Sequence, residues 1–90
     1  MAQESVGSVR GQVLRKTTGA PVCEAAIAIV RGAAPYPDLA VLTDGSGCFF
    51  LDGLAAGVWV LGAYGPGSER GEAGVNVAAG LAAEVVIQVG

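Results

Sequence analysis

Apolar and polar positions alternate with a period of two along most of the chain, and glycine or proline breaks the alternation every eight to twelve residues. Successive side chains of a strand point to opposite faces, so each run predicts a half-buried strand and each break a turn. A first strand over 8–15 places Val9, Gly11 and Val13 on one face, and Thr17-Thr18-Gly19-Ala20-Pro21 ends it. A second strand over 25–31 turns Ala25, Ile27 and Ile29 to one side and Ala26, Ala28 and Val30 to the other. The loop 32–38 follows, with Pro35 and Pro37 flanking Tyr36. Strands over 39–43 and 48–52 are joined by Asp44-Gly45-Ser46-Gly47, the strongest hairpin signal in the chain. There the aspartate accepts amide protons from the residues after it, and glycine takes positive φ without steric cost. Leu54-Ala55-Ala56-Gly57 reads as another turn. A strand over 58–64 then sets Trp59, Leu61 and Ala63 against Val58, Val60 and Gly62. A loop over 65–71 and strands over 72–78 and 83–89 complete the series. Helix competes only over 77–86, where Gly80 interrupts it and β-branched residues dominate the second half.

Seven short strands without a helix predict an all-β fold, a seven-stranded antiparallel Greek-key sandwich whose inward faces form one core. Trp59, Phe49, Leu51 and Leu61 are its expected large members. The domain is expected over 8–90, preceded by a flexible segment over 1–7. Ninety residues leave room for one core only.

Composition narrows the function. Ala 16, Gly 15 and Val 13 dominate, while charged residues reach 14% against about 25% in typical soluble domains. A hydrophobic fraction of 52% excludes intrinsic disorder. A net charge of −3 with five basic residues argues against nucleic acid as a partner. No apolar run is long enough for a membrane-spanning helix, and the polar start is not a secretory leader. The chain has no histidine, which removes the commonest general base and nitrogen ligand. No cofactor, metal site or catalytic residue is therefore expected.

Gly11-x-Val13, Thr18-Gly19-x-Pro21-Val22, Ala25-x-Ile27, Thr43-Asp44-x-x-Gly47-x-Phe49-x-Leu51 and Leu54-x-x-Gly57-x-Trp59-x-Leu61 together resemble the carboxypeptidase regulatory-like domains of the transthyretin-like, or prealbumin-like, sandwiches. The closing Val75-x-Val77-x-x-Gly80 and Val85-x-Ile87-x-Val89 extend the resemblance over about 8 to 89. It implies a transthyretin-like fold and a non-catalytic accessory module that braces, spaces or docks a neighbour, in a cell-surface, periplasmic or secreted parent. The residues themselves fix no compartment. Enzymes of similar shape rest on histidine, absent here. The Lys–Asn isopeptide pattern of related adhesin repeats fails, because Ala63 stands where its acid should be.

Among candidate sites, Asp44 reads as a turn cap rather than a calcium ligand, since the ladder of carboxylates that calcium needs is missing. Cys23 and Cys48 allow one internal disulfide, with two free thiols as the alternative. Tyr36, held between prolines, is a candidate loop contact, and carbohydrate binding there is a weaker third reading. The most informative positions are those expected to be wet. Ala26, Ala28, Val30, Val58 and Val60 carry no charge on an outward face, and Phe50 and Val86 repeat the anomaly on the other sheet. Contiguous exposed apolar surface marks a contact. The expected role is docking on a protein partner or a neighbouring domain, with self-association into an oligomer, spike or filament as the alternative.

Overall fold

The computed structural model describes residues 6–32 and 40–90. Seven strands follow in order: β1 (Val6–Arg15), β2 (Ala26–Arg31), β3 (Ala40–Leu42), β4 (Cys48–Ala55), β5 (Gly57–Tyr64), β6 (Arg70–Val77) and β7 (Ala82–Val89). They form a three-stranded sheet, β4-β1-β7, facing a four-stranded sheet, β3-β2-β5-β6. The fold is the all-β sandwich that the alternation predicts. Its inward positions are those expected, with Val9, Val13, Ala25, Ile27, Leu61, Ala63, Ile87 and Val89 all at or below 1% exposure and Trp59 at 2%. Two inward rings lie on glycines: a Cβ on Gly11 would fall 2.2 Å from Phe49 Cζ, and one on Gly32 would fall 2.0 Å from Trp59 Cε3. Small residues at these places let the large rings close the sandwich.

Three expectations are corrected. The strands are not all antiparallel, because β1 and β7 pair in parallel, from Ser8↔Ala82 to Arg15↔Val89. Parallel neighbours need a long crossover, and here the intervening strands supply it. The alternation within one strand carries no information about its neighbour's direction. The first strand also starts earlier than the expected Ser8: β1 begins at Val6, whose partner is Ala55, and Gly7 pairs with Leu54. The same pairing overturns the turn read at 54–57. Leu54 and Ala55 belong to β4, and Leu54 is buried at 6% exposure. Gly53, at φ 73°, makes this extension workable. Between Gly7 and Val9 on β1 the partner advances from Leu54 to Leu51, so β4 holds one extra residue in a bulge whose left-handed position glycine fills.

The Thr-Asp motif organises the β3–β4 corner. Thr43, 4% exposed, accepts the Ala25 N–H at 2.9 Å and donates to the Val22 carbonyl at 2.7 Å. Thr43→Val keeps the shape but orphans a buried N–H and C=O, so a loss of about 1–3 kcal/mol is expected in urea unfolding. A loss well under 1 kcal/mol would show that these bonds are not structural.

Candidate interaction surface

The two outward sheet faces differ. On the four-stranded sheet, β2 and β5 lie side by side with Ala26↔Tyr64 and Ala28↔Gly62, followed by a bulge between Ile29 and Arg31 that sets Arg31 opposite Val60. Adjoining strands extend these rows: Leu42 pairs with Ala26, while Arg70, Glu72, Gly74 and Asn76 pair with Tyr64, Gly62, Val60 and Val58. The centre of this face is therefore Ala26, Ala28, Val60 and Gly62, and its charges are Arg31 and the β6 border. Leu42 (64% exposed), Val58 (62%), Tyr64 (43%) and Val30 (38%) stand above it. The uncharged outward positions of the second and fifth strands thus lie side by side in the middle of this sheet.

Sequence reading missed two members of the face. Tyr64 continues the alternation two residues beyond Gly62 and leans back over it, so that a Cβ there would meet the Tyr64 hydroxyl at 3.0 Å. Its signal was present in the period of two. Leu42 had none, since only the pairing of β3 on β2 brings it alongside Ala26.

The outward face of the three-stranded sheet is mixed. Arg10 sits between Phe50 and Glu84, and Gln12 between Cys48 and Val86. Phe50 and Val86 are 49% and 53% exposed, yet polar side chains separate them. Phe50 thus lies on a different face from Ala28 and Val60. It approaches that apolar surface at the β3–β4 corner, where it lines a groove of about 420 Å³ together with Leu42, Arg10 and Asp44. Cys23 and Cys48 are free thiols, Cys23 exposed and Cys48 half-buried, so the one bridge they allow is not formed. Tyr36 lies outside the described residues. Among the described residues no three of His, Cys, Asp and Glu gather as metal ligands, and no helix is long and apolar enough to cross a membrane.

Two carboxylates hold the turns at the sheet ends. Asp44 Oδ1 accepts the N–H of Ser46 at 2.9 Å and of Cys48 at 3.0 Å. Bonds from the Cys48 and then the Ser46 amide hold its pKa below the ordinary aspartate range. Glu69 accepts the Gly67 N–H at 2.9 Å and pairs with Arg15 of β1. Its own backbone N–H first, and the Arg15 guanidinium second, lower its pKa likewise. A folded-state pKa below the unfolded one gives stability that is complete above the unfolded value and is lost as pH falls through the folded value. Urea midpoints are therefore expected to be flat from neutral pH down to about 5 and to drop below about pH 4. Asp44→Asn and Glu69→Gln should each flatten that drop. An unchanged acid limb in both variants would remove these groups as its cause.

Comparison with known proteins accords with this architecture. A domain of the Bacillus anthracis TIE protein superposes with a TM-score of 0.73 at 19% identity, covering 94% of this chain and 16% of that one. A DUF3823 family protein from Parabacteroides merdae superposes with a TM-score of 0.63 at 19% identity, covering 97% of this chain and 47% of that one. The chain thus spans less than half the length of either structure, and at such identities the likeness is one of fold. No curated protein is significantly similar to the chain. The family model of the carboxypeptidase regulatory-like domain matches residues 8–90, nearly the whole sandwich, and the chain belongs to that family of regulatory modules.

Proposed function

We propose that the protein is a non-catalytic accessory module that docks on an adjoining domain of a longer polypeptide through the outer face of its four-stranded sheet. The observation that carries this reading is the uncharged centre of that face, Ala26, Ala28, Val60 and Gly62, ringed by exposed Leu42, Val58, Tyr64 and Val30. An antiparallel sheet with one solvated face ordinarily alternates apolar with polar residues.

Size favours a tethered occupant over a free one. Four strands about 4.8 Å apart and four rows about 6.8 Å apart give roughly 500 Å² of face. A stable free complex takes about 800 Å² from each partner. A covalently linked neighbour, held at about millimolar effective concentration, needs less. The fold neighbours support the same reading, since the matched region is 16% and 47% of their chains.

Val58→Lys and Ala28→Lys test it. Each is expected to leave the unfolding midpoint of the isolated domain nearly unchanged, because both side chains lie outside the core. In the longer polypeptide each should loosen the neighbour, seen as a larger radius of gyration in X-ray scattering. Unchanged scattering from both variants overturns the docking. A concentration-dependent dimer in sedimentation velocity, abolished by Val58→Lys, would assign the face to a second copy instead.

A further inference from the structure

The exposed edge of β4 is bounded on both sides by space of side-chain size. Val13 N–H donates to the Gly47 carbonyl at 2.8 Å, and the ladder continues through Gly11↔Phe49 and Val9↔Leu51. This phase turns the backbone groups of Phe49 and Leu51 toward β1 and those of Cys48, Phe50 and Asp52 away from it. Asp44 occupies both groups of Cys48: its Oδ1 accepts the Cys48 N–H at 3.0 Å, and its own N–H donates to the Cys48 carbonyl at 2.9 Å. The N–H and C=O of Phe50 and Asp52 face outward, and among the described residues no strand pairs with β4 on that side.

Inside this edge, between the two sheets, lies an apolar cleft of about 160 Å³ lined chiefly by Ile27, Ile29, Val41, Leu51 and Leu54. Outside it lies the groove of about 420 Å³ formed by Leu42, Phe50 and Arg10. The Arg10 guanidinium has no ion pair or hydrogen bond with another described residue. A strand added to β4 would alternate its side chains between the two spaces. The residue opposite Leu51 would point into the cleft, and the residue opposite Phe50 would point outward, within reach of Arg10 across the Phe50 ring.

We propose that the β4 edge accepts an extended peptide segment of another protein as an added strand, with an aliphatic side chain in the cleft and a neighbouring carboxylate directed at Arg10. An apolar cavity of about 150 Å³ accepts a benzene-sized group, so the cleft suits a leucine or isoleucine. A second copy of β4 does not fit this role, because its inward Leu51 is already packed in its own core at 8% exposure. The bulge at Gly53 limits the added ladder to a few residues, and specificity falls to the two side-chain positions.

The test is an NMR titration of the intact chain with the blocked peptide acetyl-Thr-Glu-Leu-Lys-Thr-amide and with its reversed core, acetyl-Thr-Lys-Leu-Glu-Thr-amide, which serves the opposite strand direction. At least one should shift the Phe50 and Asp52 amides at about millimolar concentration, and Arg10→Glu should weaken that binding about fivefold or more. The same peptides with aspartate in place of leucine should leave both amides unmoved. Four outcomes overturn the proposal: no shift with either peptide, equal shifts with the aspartate controls, undiminished affinity in Arg10→Glu, or Phe50 and Asp52 amides already protected from exchange in the free protein. Failure here leaves the docking face on the other sheet untouched, since no residue of its apolar centre is involved.

Discussion

Trp59→Ala is expected to remove about 3–5 kcal/mol of stability, the largest loss of any single truncation in this chain. A domain of this size holds about 5–10 kcal/mol in total, so the variant sits at the edge of folding. Trp59 is the largest of the fully buried side chains at 2% exposure. Its ring occupies the space above Gly32, and its Nε1–H donates to the Ala55 carbonyl at 2.7 Å. That carbonyl belongs to β4 while Trp59 belongs to β5, so the bond ties the two sheets together where the chain crosses between them. Circular dichroism during urea unfolding is the appropriate measure, because the substitution removes the one tryptophan. Trp59→Phe separates the two contributions. It keeps most of the apolar volume and forfeits the hydrogen bond, so a loss of roughly 1–2 kcal/mol is expected. A loss below about 2 kcal/mol for Trp59→Ala would mean that the surroundings collapse into the space and that the ring is not the keystone of the core.

The second large effect falls on a residue with no side chain. Gly71→Ala would place a Cβ 2.0 Å from the Gln88 carbonyl oxygen, where β6 of one sheet meets β7 of the other. No real contact is so short, and the obstacle is backbone rather than a flexible side chain. The two strands must separate. The expected cost is about 3 kcal/mol, at the upper end of overpacking penalties. Gly74→Ala, three residues further along β6, is the internal control. The nearest atom to its Cβ would be the Trp59 carbonyl oxygen at 3.9 Å, and removing a flexible glycine from the unfolded chain stabilises by about 0.4–1 kcal/mol. The pair should therefore move the melting temperature in opposite directions. Equal effects would show that the β6–β7 seam is not in close contact.

These predictions bear on function because the seam and the tryptophan hold the four-stranded sheet against its partner. The proposed docking face is one surface only while β2, β5 and β6 keep their register. Loss of register by one residue would turn Ala28 and Val60 inward and the core residues out. Core variants are thus expected to weaken docking through unfolding, whereas Val58→Lys and Ala28→Lys weaken it in a folded domain.

The sequence by itself determined everything that depends on one strand at a time. A period of two told Trp59, Leu61 and Ala63 apart from Val58 and Val60, because alternation is a property of the backbone and not of its neighbours. The Asp44 turn was legible for the same reason: its bonds to Ser46 and Cys48 close within five residues. Relations between strands were left to the tertiary structure. The parallel pairing of β1 with β7, the extension of β4 through Leu54, and the placing of Leu42 beside Ala26 all depend on which edges meet. Local alternation is blind to that choice, since every strand offers the same hydrogen-bonding groups on both sides. The surplus of alanine and valine showed that some outward positions are uncharged; only the packing of the two sheets decided which of them share a face.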